Sequence, residues 1–159
     1  MHRSLATYFF TIFLGLALAG CDGPGSALPA QPMQPSTNAT TIIGGATLQA
    51  TTMDVADLNE TVARRYAIDH GSSGLLLLVT VRDASGNGIE PGDLRLDAIA
   101  GALLDTPKPL ALRPITTGGM TDYIGVFHAS PPATVQIRIS AVRNGARAEI
   151  STTSDLYQR

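Results

Sequence analysis

Residues 133–156 show the clearest alternation of apolar and polar positions in the chain. Over the first nine of them, one face carries Ala133, Val135, Ile137, Ile139 and Ala141, and the other carries Thr134, Gln136, Arg138 and Ser140. Because successive side chains of a strand point to opposite faces, this period predicts a strand with one buried face. Asn144-Gly145 follows, a dipeptide that favours a type I′ turn, so residues 146–156 are the predicted partner strand.

Five segments upstream also have the pattern of strands. Residues 75–81 are a continuous apolar run between turn residues, and this length suits a buried strand better than a helix. Residues 46–51 and 94–100 alternate between apolar and polar side chains. Residues 110–112 lie between two prolines, which is typical of an edge strand. Residues 123–128 complete the set.

One short helix is predicted after the first strand. Asn59 is a suitable N-cap, and Val62, Ala63 and Tyr66 follow at helical spacing. Seven strands separated by short turns predict an all-β fold, an immunoglobulin-like seven-stranded antiparallel β-sandwich that carries this one helix. The predicted domain spans residues 42–159.

Two glycine pairs, Gly44-Gly45 and Gly118-Gly119, interrupt the chain. A phosphate-binding loop needs a longer glycine-rich segment that leads into a helix. Neither pair therefore predicts a nucleotide site, and each is interpreted as a break between elements.

The first 20 residues have the layout of a signal peptide. Arg3 gives a basic start, and Ser4–Gly20 is uncharged and mostly apolar. Ala17-Leu18-Ala19 has the form that ordinary signal peptidase cleaves. Leu18-Ala19-Gly20-Cys21 matches the lipobox of bacterial lipoproteins and accounts for the only cysteine of the chain. We therefore predict a lipoprotein signal peptide at residues 1–20 and lipid attachment at Cys21, the first residue of the mature protein.

Residues 21–41 are the predicted tether between the lipid and the domain. They are rich in proline, glycine and small polar residues and lack apolar periodicity, as in flexible linkers. A diacylglyceryl group supplies two chains, which is enough for stable membrane anchoring. Asp22 resembles the signal that keeps enterobacterial lipoproteins in the inner membrane, so we expect a lipid-anchored protein that faces the periplasm.

The charge balance excludes nucleic acid as an expected partner. Without residues 1–20 the chain carries ten basic and thirteen acidic side chains, and Lys108 is its only lysine. Proteins that neutralise phosphates need clustered positive charge, whereas only Arg64-Arg65 are adjacent here.

Candidate metal ligands are few. His70 and His128 lie 58 positions apart, and we interpret both as surface or strand-end side chains. Met53 and Met120 could join them in a copper(I) site, because soft thioethers select that ion. No Met-x-x-Met or His-x-Met spacing supports such a site, so no metal or cofactor is predicted.

Two classes of function remain open. The first is a non-catalytic envelope module that binds or scaffolds a protein partner at the membrane. The second is a carrier of a small ligand or of copper that uses a pocket between the sheets. An enzyme is not predicted, because no G-x-S-x-G motif or clustered titratable residues occur in the chain.

From Ala46 to Tyr157 the chain resembles an exported proteobacterial family known as domain of unknown function 4426. The resemblance rests on Leu58, Val62–Ile68, Gly74-Leu75, Gly101, Leu110, Asp122–Phe127 and Leu156-Tyr157. The chain departs from the family pattern at Ala67, where glycine is usual, and at Asp54, where asparagine is usual. The resemblance implies an immunoglobulin-like sandwich in the periplasm and assigns no catalytic residues.

Overall fold

The computed structural model describes residues 38–158. Within them, nine strands follow one another in the order β1 (Asn38–Ile43), β2 (Ala46–Asp54), β3 (Gly74–Arg82), β4 (Arg95–Ala102), β5 (Lys108–Leu110), β6 (Arg113–Thr117), β7 (Met120–His128), β8 (Ala133–Arg143) and β9 (Ala146–Leu156). A 3-10 turn (Val55–Asp57) and helix α1 (Glu60–Arg65) lie between β2 and β3. In this part of the chain, no helix is long and apolar enough to cross a bilayer.

The strands form two antiparallel sheets, one ordered β1-β2-β3-β7-β6 and the other β5-β4-β8-β9. Strands β2-β3-β7-β6 and β4-β8-β9 reproduce the two sheets of a seven-stranded immunoglobulin-like sandwich. The all-β immunoglobulin-like prediction is confirmed. The count of seven strands is wrong, because β1 and β6 were missed, and the helix therefore follows the second strand instead of the first.

Both missed strands belong to hairpins that close on the glycine pairs. The positive φ angles are 50° and 81° at Gly44-Gly45, and 58° and 79° at Gly118-Gly119. Positive φ at both central residues defines the type I′ turn, which only a few residue types adopt without strain. Asn144-Gly145 has the same conformation, with φ angles of 49° and 73°, as the dipeptide predicted. The glycine pairs are therefore hairpin turns.

The main core lies between the sheets. Val135, Ile137 and Ile139 are buried in it, whereas Gln136 and Arg138 point to solvent, as the alternation predicted. A second apolar cluster covers the outer face of the five-stranded sheet. There the segment after β2 packs onto β3 and β7 through Val55, Leu58, Ala63, Ile68, Leu76 and Ile124.

Helix α1 has the predicted cap, since the Asn59 side chain accepts a hydrogen bond of 2.8 Å from the backbone N–H of Thr61. At its other end the N–H of Ile68 donates to the carbonyl of Ala63 at 2.9 Å, and Ala67 has a φ of 49°. This is a Schellman ending, in which the residue after the cap takes the left-handed conformation and is usually glycine.

Replacing Ala67 with glycine should raise the free energy of unfolding by about 0.5–1 kcal/mol. A left-handed φ costs an L-residue roughly 1–2 kcal/mol, and glycine removes this cost. The greater conformational freedom of glycine in the unfolded chain offsets part of the stabilisation. Urea unfolding measures the change. Ala84→Gly is the control, because Ala84 is exposed and has no positive φ. That variant should be neutral or less stable, and equal effects of the two substitutions would contradict this explanation.

The domain begins before its predicted boundary. Asn38–Thr41 were assigned to the tether, but they form the first four residues of β1 and pair with Thr51–Leu48 of β2. The tether prediction over residues 21–41 is corrected for these four positions. Its remaining residues lie outside those that the structure describes, as does the predicted signal peptide.

A protein that starts at residue 42 should melt several degrees below one that starts at residue 37. The shorter protein loses most of β1, which leaves the edge of β2 unpaired and exposes core that Ala39 covers. The protein that starts at residue 37 should have the same melting temperature as the mature chain. Thermal unfolding followed by circular dichroism tests this, and identical melting of the two shortened proteins would show that β1 adds no stability.

Candidate functional site

The chain crosses from one sheet to the other between β5 and β6. Ala111 and Leu112 make this crossing directly over Gly125 of β7. A Cβ atom on Gly125 would lie 2.7 Å from the carbonyl oxygen of Ala111 and 2.9 Å from Cδ2 of Leu112. Glycine at this position therefore permits an approach of the two sheets that no other residue would allow without displacement.

Beside this crossing lies an open cleft of about 580 Å³, which we call the β5–β7 cleft. Lys108–Leu110 line it from the four-stranded sheet, Ala111 lines it from the crossing, and Val126–His128 line it from the five-stranded sheet. The end of β4, the β4–β5 turn, the β7–β8 loop and the start of β8 complete the lining. The cleft therefore lies where the two sheets separate.

The cleft has an apolar interior and a polar rim. Leu110 is buried and Phe127 is half-buried, and both pack against the main core. Asp105, Lys108 and His128 are exposed side chains of the lining. Apolar walls with a few polar groups are the usual composition of binding sites in proteins.

Two exposed leucines flank the cleft in the β4–β5 turn. The N–H of Asp105 donates to the carbonyl of Ala102 at 2.9 Å, and Leu104, the third residue of this turn, has a φ of 82°. Glycine is the favoured residue at that position of a type II turn. Leu103 is 55% exposed and Leu104 is 99% exposed. Backbone strain and an exposed apolar side chain thus coincide at Leu104, and such combinations occur at binding surfaces.

The structure does not bring the four candidate copper ligands together. Met120 begins β7 and His128 ends it, so their backbones lie about 27 Å apart. Met53 lies on β2 opposite Leu76. The Nε2 of His70 lies 2.7 Å from the carbonyl oxygen of Leu58, to which the ring donates. Within residues 38–158, no group of three His, Cys, Asp or Glu side chains is arranged to hold a metal ion.

The predicted lipid-attachment residue, Cys21, and Asp22 beside it lie outside the described residues. His128 ends a strand and is exposed, as expected, and it is also part of the lining of the cleft. The sequence did not indicate which residues line the cleft. One signal was available, because Leu103-Leu104 places two large apolar residues inside a turn, where polar residues are the rule.

The least exposed ion pair in the described part of the chain lies at the opposite end of β7. Nη1 and Nη2 of Arg82 contact the two carboxylate oxygens of Asp122 at 2.6 Å and 3.1 Å. Asp122 also accepts a hydrogen bond of 3.3 Å from the N–H of Val81. The hydrogen bond to Asp122 raises the pKa of the Arg82 guanidinium. This pair joins β3 to β7, and we interpret it as structural.

Comparison with solved structures confirms the fold. A DUF4426 family protein from Pseudomonas aeruginosa superposes with a TM-score of 0.61 at 15% identity, over 77% of this chain and 97% of that protein. FetP from uropathogenic Escherichia coli, a protein expressed in the periplasm for its crystal structure, superposes with a TM-score of 0.51 at 10% identity. That match covers 76% of this chain and 95% of FetP. At these identities the likeness extends to the fold alone.

Comparison at the level of sequence identifies the family. No curated protein matches the chain. The family model described as domain of unknown function DUF4426 matches residues 41–158. This range contains all the strands except the first three residues of β1, and it includes both walls of the β5–β7 cleft. The chain therefore belongs to the DUF4426 family.

Proposed function

We propose that this protein is a lipid-anchored envelope protein whose sandwich domain binds a protein partner through the β5–β7 cleft without catalysing a reaction. The lipobox Leu18-Ala19-Gly20-Cys21 supports the anchor. The tether then keeps the domain on the periplasmic side of the membrane, and Asp22 favours the inner membrane.

The observation that carries the binding role is the exposed Leu103-Leu104 turn beside the cleft. Exposure of two neighbouring leucines costs free energy, and the left-handed φ of Leu104 adds strain. Contact with a partner would bury these side chains and recover the apolar part of that cost. The cleft next to them offers Leu110 and Phe127 as a further apolar surface.

Photo-crosslinking in intact cells tests the binding role. A photoreactive amino acid in place of Leu104 should give a discrete adduct with an envelope protein. The same amino acid in place of Ser140, which is exposed on the outer face of the four-stranded sheet, is the control and should give none. Equal adducts at both positions, or no adduct at Leu104, would contradict partner binding at this turn.

A small-ligand carrier is the second candidate function. The volume of the cleft, about 580 Å³, falls in the range of roughly 300–1,000 Å³ that small-molecule sites occupy. Native mass spectrometry of the protein purified from the periplasmic membrane face distinguishes the two functions. A ligand retained in a one-to-one ratio supports the carrier. Copper is the less favoured cargo, because two of its candidate ligands, Met120 and His128, lie about 27 Å apart at opposite ends of β7.

Cys21→Ser should abolish lipid attachment and leave an unprocessed precursor. The thiol of Cys21 is the predicted acyl acceptor, and a hydroxyl group does not replace it. Metabolic labelling with an alkyne fatty acid measures the modification. As a control, adding Ser26→Cys to the first variant restores a thiol but not the lipobox, so label should remain absent. Equal labelling of Cys21→Ser and of the protein that retains Cys21 would disprove the lipid anchor.

A further inference from the structure

Strand β7 (Met120–His128) is paired along different stretches of its two edges. On one edge β3 pairs with Tyr123–His128. On the other edge β6 pairs with Met120–Ile124 and ends there, because the chain before Arg113 belongs to the crossing from the other sheet. Gly125–His128 therefore lack a strand neighbour on the β6 side.

The register shows which backbone groups point to that edge. Thr117 and Met120 flank the two-residue turn Gly118-Gly119, so they form a hydrogen-bonded pair. Hydrogen-bonded positions alternate along an antiparallel strand, so Met120, Asp122 and Ile124 direct their backbone groups towards β6. The same alternation directs the N–H and C=O groups of Val126 and His128 to this side, beyond the end of β6.

These groups at Val126 and His128 form what we call the free edge of β7. In the described part of the chain, the hydrogen bonds of turns and loops do not involve either residue's backbone. Both residues line the β5–β7 cleft. An unpaired edge is a template for a further strand, and proteins usually shorten, charge or cover such edges. Here the edge faces a cleft that is open to solvent.

We propose that an extended peptide of the envelope partner adds to the free edge of β7 as an antiparallel strand, in line with β6. This inference rests on the proposed binding function and names the chemistry of the partner. The unpaired N–H and C=O groups require a backbone as the complement, which a membrane surface does not supply. Alternate side chains of the peptide would face Phe127 and Leu110, so we expect apolar residues at those positions.

The tether of this chain is a poor occupant of the edge. Pro24, Pro29, Pro32 and Pro35 divide it, so no more than four consecutive residues between them have a backbone N–H. Proline donates no hydrogen bond to a sheet. A separate peptide without proline fits the edge better, and a second copy of the chain is an outcome that the experiment detects.

The experiment uses the mature lipidated protein in detergent micelles and nonapeptides selected from a random display library. Amide hydrogen exchange followed by NMR is the readout. Peptide binding should slow exchange at Val126 and His128 by about tenfold or more, since their N–H groups gain partners. Exchange at Gly125 and Phe127 should stay unchanged, because their N–H groups point to β3.

Backbone methylation of the selected peptide supplies the matched control. N-methylation of the residues that face β7 should abolish binding, whereas N-methylation of the alternate residues should leave affinity within about threefold. Equal losses at both sets of positions would overturn strand addition, as would binding without protection of Val126 and His128. Strand addition would also be overturned if the library gave no peptide with a Kd below about 100 µM.

Two further outcomes separate this inference from the proposed function. Amide exchange at Val126 and His128 could instead slow as the protein concentration rises, in the absence of peptide. That result would assign the edge to a second copy of the chain and overturn the proposal that a partner's peptide occupies it. A specific adduct at Leu104 together with failed peptide selection would overturn strand addition and leave the binding function standing. Absence of the adduct would remove the binding function, whatever the peptides do.

Discussion

Ile137→Ala should lower the free energy of unfolding by about 2–5 kcal/mol. Ile137 is only 2% exposed and lies on the inner face of β8, in the main core between the sheets. Truncation to alanine removes the transfer free energy of the lost methyl and methylene groups and leaves a cavity. For a domain of this size the melting temperature should fall by roughly 8–20 °C. Urea and thermal unfolding both measure the effect.

Arg138→Ala is the matched control on the same strand. The Arg138 side chain is 58% exposed, and its ion pair with Glu149 at 3.4 Å is open to solvent. Exposed ion pairs contribute about 0–1 kcal/mol, so this variant should unfold close to the unmodified protein. Equal losses for Ile137 and Arg138 would mean that the register of β8 is wrong.

Gly125→Ala should lower the free energy of unfolding by about 1–3 kcal/mol, the usual cost of overpacking. The added Cβ would lie 2.7 Å from the backbone oxygen of Ala111. Because this neighbour is backbone, relief requires the β5–β6 crossing to move. That movement should also change the shape of the cleft. The same substitution should therefore change the amide chemical shifts of Lys108 and His128 as well as the stability.

Gly71→Ala is the control for Gly125. Gly71 is exposed in the loop after α1, has no positive φ, and its nearest neighbour to an added Cβ is Oδ1 of Asp69 at an ordinary 3.4 Å. The control variant should stay within about 0.5 kcal/mol of the unmodified protein. If Gly125→Ala were equally neutral, the close approach of the crossing would not constrain the fold.

Much of the sandwich could be predicted from local patterns. Residues 75–81 and 133–156 were assigned correctly because apolar runs, a period of two and Asn144-Gly145 are all local signals. β1 and β6 were missed because each is short, lies at a sheet edge and alternates weakly. The pattern of β6 is Arg113-Pro114-Ile115-Thr116-Thr117, with only Ile115 half-buried. Their glycine turns were the remaining signal.

The candidate site was not predictable in the same way. Lys108 and His128 are 20 residues apart in the chain, and nothing in their own neighbourhoods indicates that they line one cleft. Their proximity depends on the crossing at Ala111 and Leu112, which places β5 in one sheet and β6 in the other. The sequence around Gly125 does not indicate that Ala111 and Leu112 cross directly over it.

The sequence by itself determined the fold class, the hairpin of β8 and β9, and the cap of α1, because each depends on side chains within a few residues of one another. It also predicts the lipid anchor at Cys21, since a lipobox is contiguous. Only the tertiary structure decided where β6 ends, which edge of β7 is left unpaired and which residues face the cleft. These features depend on contacts between segments distant in sequence, and local periodicity carries no information about them.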